Sequence, residues 1–195
     1  FVKYIVENKK KVNEIKIELK HYSFTDIEFN SSYPMTVSNN KFINFLNFIN
    51  TKSYKFLHVS SCFPRKAVDV ILAAFGQAFD GDSNVALVIK TFPNPHNDMQ
   101  KQVKTFQSDF PDGPLVVLYE SDWTDEQIAG LYQSCDAYVA PSRGEGFGLP
   151  LAEAMVHGLP VITSDWGGQR DFCSEQNSWL VPTRLGLATT HLSDF

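Results

Sequence analysis

Ala137-Tyr-Val-Ala-Pro-Ser-Arg-Gly-Glu-Gly-Phe-Gly-Leu-Pro-Leu-Ala-Glu-Ala-Met-Val-His-Gly-Leu-Pro-Val-Ile-Thr163 is the stretch that decides the fold. Ala137–Val139 is a short apolar run, as expected of a buried strand. Gly144, Gly146 and Gly148 then make a loop, with backbone freedom to reach positive φ. Leu149–His157 reads as a helix, with Pro150 in its first turn and Gly158 at its C-terminal stop. Val161–Thr163 resumes as a strand. A strand, a loop, a helix and a second apolar strand in this order form a crossover unit, which belongs to a parallel sheet.

The same alternation continues on both sides. Phe56–Val59 reads as a strand. Val68, Ile71, Leu72, Phe75 and Phe79 form a helical stripe after it. Val85–Ile89 is a second strand, Asp98–Phe110 a helix and Leu115–Tyr119 a third strand. Thr124-x-x-Gln127 is a capping box opening a helix through Leu131 and Tyr132. Trp179–Val181 completes a set of six strands. The predicted class is α/β: a Rossmann-like parallel sheet with helices on both faces. Ligands bind such sheets outside the carboxyl ends of the strands. The loops Ser60–Lys66, Lys90–Asn97, Glu120–Trp123, Pro141–Leu149 and Ser164–Gln169 are therefore the candidate site.

The whole chain has 195 residues, 43% hydrophobic and 20% charged. That composition argues for a packed domain and against wholesale disorder. No apolar run approaches the ~18 residues of a membrane-spanning helix. Phe1–Lys20 lacks the pattern of a signal peptide. Cys62, Cys135 and Cys173 are far apart with no C-x-x-C, which points to a reducing, cytoplasmic compartment. Phe1–Lys55 carries nine Lys against five acids, whereas the remainder carries eight Lys or Arg against 17 acids. The acidic part would repel nucleic acid. The Lys-rich start is a solvated face, or a patch for a membrane surface or a partner. In that irregular segment Val12–Leu19 alternates as a strand would, and Asn40–Ile49 has the period of an amphipathic helix. The expected division is a connector or N-terminal remnant at 1–55, one domain at 56–182 and a tail at 183–195.

The glycine-rich loop feeds a helix N-terminus, where free N–H groups and the dipole attract an anion. A phosphate or diphosphate is the natural occupant. Glu153, early in that helix, suits vicinal hydroxyls, because a carboxylate accepts two hydrogen bonds. Ribose beside a diphosphate supplies such a pair, and Glu145 would face whatever lies beyond. His21, His58, His96, His157 and His191 show no i, i+4 pairing, so no metal site is expected.

Gly144-Glu-Gly-Phe-Gly-Leu-Pro-Leu-Ala-Glu153-Ala-Met, followed by Gly158-Leu-Pro-Val-Ile162, resembles the Glu-x7-Glu region of retaining GT-B glycosyltransferases (glycosyl transferases group 1). Phe63-Pro-Arg-Lys-Ala-Val-Asp-Val-Ile-Leu-Ala-Ala-Phe75 is similar to that family's phosphate-binding loop and following helix, and Trp166-Gly-Gly-Gln169 fits too. The resemblance covers roughly Phe56–Pro182 and implies a donor-binding, C-terminal domain of a two-domain enzyme. It implies that Glu145 lies near the donor sugar and the reacting centre and that Lys66 neutralises the diphosphate. Gly146, Phe147, Gly148 and Leu149 would cradle the phosphates, and Glu153 would bind ribose.

The pattern is departed from at Ser60-Ser61, where many relatives carry Gly-Arg. Arg65 or Lys90 is then expected to replace the missing cation. Ala67 stands where Gly is usual, a change expected to be mild at a helix start. The resemblance further implies a UDP-, GDP- or ADP-sugar as donor substrate, no cofactor, metal-independent sugar transfer and a role in polysaccharide biosynthesis. The acceptor, a glycan or lipid, would be held by an N-terminal domain that Phe1–Lys55 is too short to supply. The parent protein would associate peripherally with a membrane, and the isolated chain would be inactive. Two other readings compete: a non-catalytic nucleotide-sugar-binding module, and a dinucleotide-binding oxidoreductase domain. The second is disfavoured because Gly144–Gly148 is G-x-G-x-G and follows the fourth strand instead of the first.

Overall fold

Parallel strands need crossovers and two covered faces, and both appear in the computed structural model, which describes residues 46–47 and 49–186. The strands are β1 (Tyr54–Val59), β2 (Val85–Thr91), β3 (Leu115–Glu120), β4 (Ala137–Ala140), β5 (Val161–Ser164) and β6 (Trp179–Val181). The helices are α1 (Val68–Ala78), α2 (Met99–Asp109), α3 (Asp125–Ser134) and α4 (Leu149–Val156). The six strands form one parallel sheet in the order β3-β2-β1-β4-β5-β6. The sequence-based class and all six strands are therefore observed, with β1 beginning at Tyr54, inside the segment read as a connector. The expected strand Val12–Leu19 lies outside the described residues. Of the expected helix Asn40–Ile49, only Leu46, Asn47 and Ile49 are described, and they are helical.

Side-chain alternation along the strands sorts the core into two layers. Tyr54, Phe56, Leu87, Ile89, Ala137 and Val139 face α1 and α2, meeting Ile71, Leu72, Phe75 and Phe106. Leu57, Val88, Tyr138, Ala140 and Val161 face α3 and α4, meeting Leu131, Tyr132, Leu151 and Ala154. Burial of each of the Val, Leu, Ile and Phe side chains among them is worth about 1.5–3 kcal/mol. The capping box of α3 forms as its sequence requires: Gln127 N–H donates to Thr124 Oγ1, and Thr124 N–H donates to Gln127 Oε1 at 3.0 Å. Cys62, Cys135 and Cys173 are buried and unpaired.

The start of α1 departs from expectation. Ala67, its N-cap, is left-handed at φ +57°. A β-carbon is costly in that region, so Ala67 stores strain of about 1–2 kcal/mol where glycine would store none. Cys62 adopts a similar φ of +56°. The short 3-10 turn Pro64–Lys66 is thus flanked by strained residues at both ends.

Candidate functional site

The strand order reverses between β1 and β4, and a crevice opens at the carboxyl ends of strands on either side of such a reversal. The loop after β1 contains Pro64–Lys66, and the loop after β4 runs from Pro141 to Gly148. Lys66 Nζ donates to Glu145 Oε2 at 2.6 Å, with only 11% and 14% of the two side chains exposed. The Ser142 hydroxyl lies 3.4 Å from the same carboxylate oxygen. The two residues read as catalytic from sequence, 79 positions apart, therefore meet across the reversal.

The glycines of the loop do different work from that expected. Only Gly148, the N-cap of α4, has positive φ (+88°). Gly144 and Gly146 have neither positive φ nor an atom within 4 Å of where a β-carbon would stand, so nothing among the described residues demands glycine at either position. Closure of the loop comes from Gly167 and Gly168, quoted in the sequence reading without a role. A β-carbon on Gly168 would sit 1.7 Å from the Gly146 carbonyl oxygen, and its N–H donates to the Glu145 carbonyl at 2.9 Å. Gly167 has φ +113°. The buried Gln169 amide ties this turn down by donating to the Trp166 carbonyl at 2.7 Å.

At the start of α4, Leu151 and Ala152 N–H both donate to the Gly148 carbonyl. The N–H groups of Gly146, Phe147, Gly148 and Leu149 donate to no other described residue. Such a row of amides at the positive end of a helix can receive an anion. Phe147 and Leu149 are 54% and 60% exposed. Glu153 lies one turn into α4, where the Tyr132 hydroxyl donates to Glu153 Oε2 at 3.0 Å and also lies 3.0 Å from the Pro150 carbonyl. Burial, helped by the Glu153 carboxylate, pushes the Tyr132 hydroxyl far above its ordinary pKa, so it stays a donor.

His58 is buried beneath the crevice and was not singled out by sequence. Its Nδ1 lies 2.7 Å from the Val139 carbonyl, which can only accept, so Nδ1 carries the proton. Nε2 meets the Ser60 hydroxyl at 2.7 Å, and Ser60 Oγ accepts from Cys62 N–H at 2.9 Å. Burial is the main cause that lowers the His58 pKa to about 4. The neutral ring thereby anchors the first turn of the loop after β1 at Ser60.

Of the two expected replacement cations, Arg65 is joined to the Pro141–Gly148 loop through its main-chain carbonyl, which accepts from Arg143 N–H at 2.8 Å, and the side-chain partners of both lie outside that loop. Arg65 stands with its guanidinium 6.0 Å from the Phe63 ring. Lys90, 5% exposed, donates to the Thr91 carbonyl at 2.9 Å and the Ser121 carbonyl at 2.6 Å, and lies 5.0 Å from the Trp123 ring. None of these partners belongs to the Pro141–Gly148 loop. Burial lowers the Lys90 pKa. Asn97 and Asp98 serve the start of α2: Met99 N–H donates to Asn97 Oδ1 at 2.9 Å, and Asp98 is the N-cap. A separate cavity of about 210 Å³ lies between α1 and α2, lined by Leu72, Ala73, Gln102, Thr105, Phe106 and Phe110. Among the described residues, no three His, Cys, Asp or Glu group as a metal site would, and no helix is long and apolar enough to cross a membrane.

Comparison with known proteins points the same way. A family model described as glycosyl transferases group 1 matches residues 39–185. The D-inositol 3-phosphate glycosyltransferase of Thermomonospora curvata is 29% identical over 151 residues, 73% of this chain and 35% of that protein. The serotype-specific mannosyltransferase WbdA of Escherichia coli is 35% identical over 112 residues, 56% of this chain and 13% of that protein. The crystal structure of Anabaena HepE in complex with UDP-glucose superposes with a TM-score of 0.60 at 18% identity, covering 76% of this chain and 40% of that one. The chain spans about a third or less of the length of the curated relatives it matches.

Proposed function

Because the chain belongs to the glycosyl transferases group 1 family, we propose that it is the nucleotide-sugar-binding half of a retaining sugar transferase. The observation that carries this reading is the Lys66–Glu145 pair, at 2.6 Å, beside the unclaimed amides at the start of α4. A diphosphate brings more negative charge than one carboxylate, so it competes for the Lys66 ammonium. Binding frees Glu145 to meet the sugar hydroxyls. Glu153, steadied by Tyr132, accepts from the ribose hydroxyls.

The reaction breaks the bond between the anomeric carbon and the diphosphate oxygen. Negative charge builds on the leaving oxygen, and groups already aimed at it stabilise the transition state. Lys66 and the α4 amides supply that countercharge. In a retaining transfer the acceptor hydroxyl attacks the face from which the diphosphate departs and its proton passes to the departing diphosphate oxygen, while Glu145 holds the sugar and its carboxylate stabilises the developing positive charge. The donor is a UDP-, GDP- or ADP-sugar, and a second domain holds a glycan or lipid acceptor. The chain by itself binds donor without transferring sugar.

A dinucleotide reading has one observation in its favour, since the strand order is also that of dinucleotide-binding domains. The loop after β1 has no glycine, however, and that is where the dinucleotide fingerprint would stand. Calorimetric titration with UDP, GDP, ADP and NAD separates the two. A nucleoside diphosphate is expected to bind in the micromolar-to-millimolar range and tighter than NAD. Tightest binding by NAD, or none by any diphosphate, overturns the proposal.

A further inference from the structure

Arg143 stands two residues before Glu145, and no role follows for it from the resemblance. Its main-chain N–H donates to the Arg65 carbonyl at 2.8 Å. Its Nη1 donates to the Pro64 carbonyl at 2.6 Å and to Asp69 Oδ1 at 2.9 Å, and its Nη2 donates to Asp69 Oδ2 at 2.6 Å. One residue therefore grips the turn before Lys66, the residue next to Lys66 and the first turn of α1. We propose that Arg143 and Asp69 form a clamp that sets where Lys66 stands relative to Glu145, making Arg143 a positioning residue of the site.

Three features support the clamp. The first is geometry: a guanidinium fork on both oxygens of one carboxylate fixes direction as well as distance, which a lysine could not do. The second is exposure. The pair is about half exposed, 49% and 56%, and such pairs add little to global stability. The third is strain: the gripped turn, Pro64–Lys66, has left-handed Cys62 and Ala67 on either side. Strained backbone persists only where surrounding contacts over-determine it. The Arg143 contacts to Pro64 and Arg65 are contacts of that kind. Hydrogen bonds from Arg143 hold the Asp69 carboxyl below its ordinary range despite partial burial, in agreement with a formed pair.

The clamp serves the diphosphate-binding reading but is testable without it. Lys66 and Lys90 acetylation rates, read by mass spectrometry in the ligand-free chain, report their separate surroundings. Arg143→Gln or Asp69→Asn should raise the Lys66 rate about 3–10-fold and leave Lys90 unchanged. The exchanged pair, Arg143→Asp with Asp69→Arg, restores the ion pair but lacks a donor at 143 for the Pro64 carbonyl, so it should bring the Lys66 rate only part of the way back toward the parent value. An unchanged Lys66 rate, or equal rises at Lys66 and Lys90, overturns the clamp. Titration of the same variants with UDP or GDP and with the free nucleoside adds the functional readout. A 3–10-fold loss for the diphosphate alone supports the clamp, and equal loss for both ligands contradicts it. Failure of the parent chain to bind any diphosphate defeats the functional reading and leaves the acetylation result to decide the clamp.

Discussion

Lys66, in the loop after β1, and Lys90, near the end of β2, are both buried lysines at the carboxyl ends of parallel strands, yet their surroundings differ in kind. Lys66 pairs with one carboxylate, Glu145, on a loop from across the strand reversal. Lys90 donates to two main-chain carbonyls and lies against an aromatic ring. A carboxylate can be displaced by a more highly charged anion. The Lys90 partners are neutral main-chain carbonyls, of Thr91 at the end of β2 and of Ser121 just after β3, and offer no charge for an anion to displace. Under the proposed function that difference separates the two: burial and strand-end position are shared, and a partner that a ligand can replace is not.

The largest effect expected is proton-linked and concerns the floor beneath Lys66. The unfolded chain takes up a proton at His58 below about pH 6.5, whereas the folded chain resists it down to about pH 4. Stability from this group is complete above pH 6.5 and is lost as pH falls toward 4, a total of about 3 kcal/mol. Denaturant unfolding across that window should show a slope that His58→Gln flattens. An unchanged slope would mean that His58 titrates normally in the fold.

Next in size is the lysine contrast itself. Lys66→Ala should weaken nucleoside diphosphate binding by about 10–150-fold, the value of a charge-assisted contact of ~1.5–3 kcal/mol, and barely alter nucleoside binding. Lys90→Ala should lower thermal stability and leave the ratio of the two affinities alone. Reversal of these two patterns would make Lys90 the replacement for the cation absent at Ser61.

For Glu153→Gln the expected loss of nucleoside diphosphate affinity is roughly 1–3 kcal/mol. A 2′,3′-dideoxyribose analogue should lose nothing further in that variant, because the partner of Glu153 is already gone. Additive losses would remove Glu153 from the ribose site. Smallest is Ala67→Gly. Relief of left-handed strain outweighs one lost buried methyl only narrowly, so a gain between zero and about 1 kcal/mol is expected. Calorimetry should show the melting temperature rising by at most ~2–4 °C. A clear fall would show that the methyl contacts dominate.

Much of the fold was legible because its signals are local and periodic. Val68, Ile71, Leu72 and Phe75 announce α1, and Thr124 with Gln127 announces the start of α3. The loops carrying Glu145 and Lys66 were legible as candidates because loops after strands converge in a parallel sheet, and the resemblance singled out Lys66 within its loop. The ion pair between the two residues was not legible, since it depends on the order in which β1 and β4 lie side by side. The left-handed Ala67 escaped because alanine gives no sign of positive φ. His58, Tyr132 and Arg143 escaped for a related reason: each acts through a partner far away in sequence, at Val139, Glu153 and Asp69 respectively. The need for glycine at 168 was not legible either, because it comes from the Gly146 carbonyl on a different loop.

Amide chemical shifts followed during titration with UDP or GDP test the central claim most directly. The account predicts saturable shifts at Gly146–Leu149 and around Lys66, with the α1–α2 cavity residues Gln102–Phe106 unmoved. Shifts confined to that cavity, or to the surroundings of Lys90 and Trp123, would contradict the placement of the diphosphate between β1 and β4.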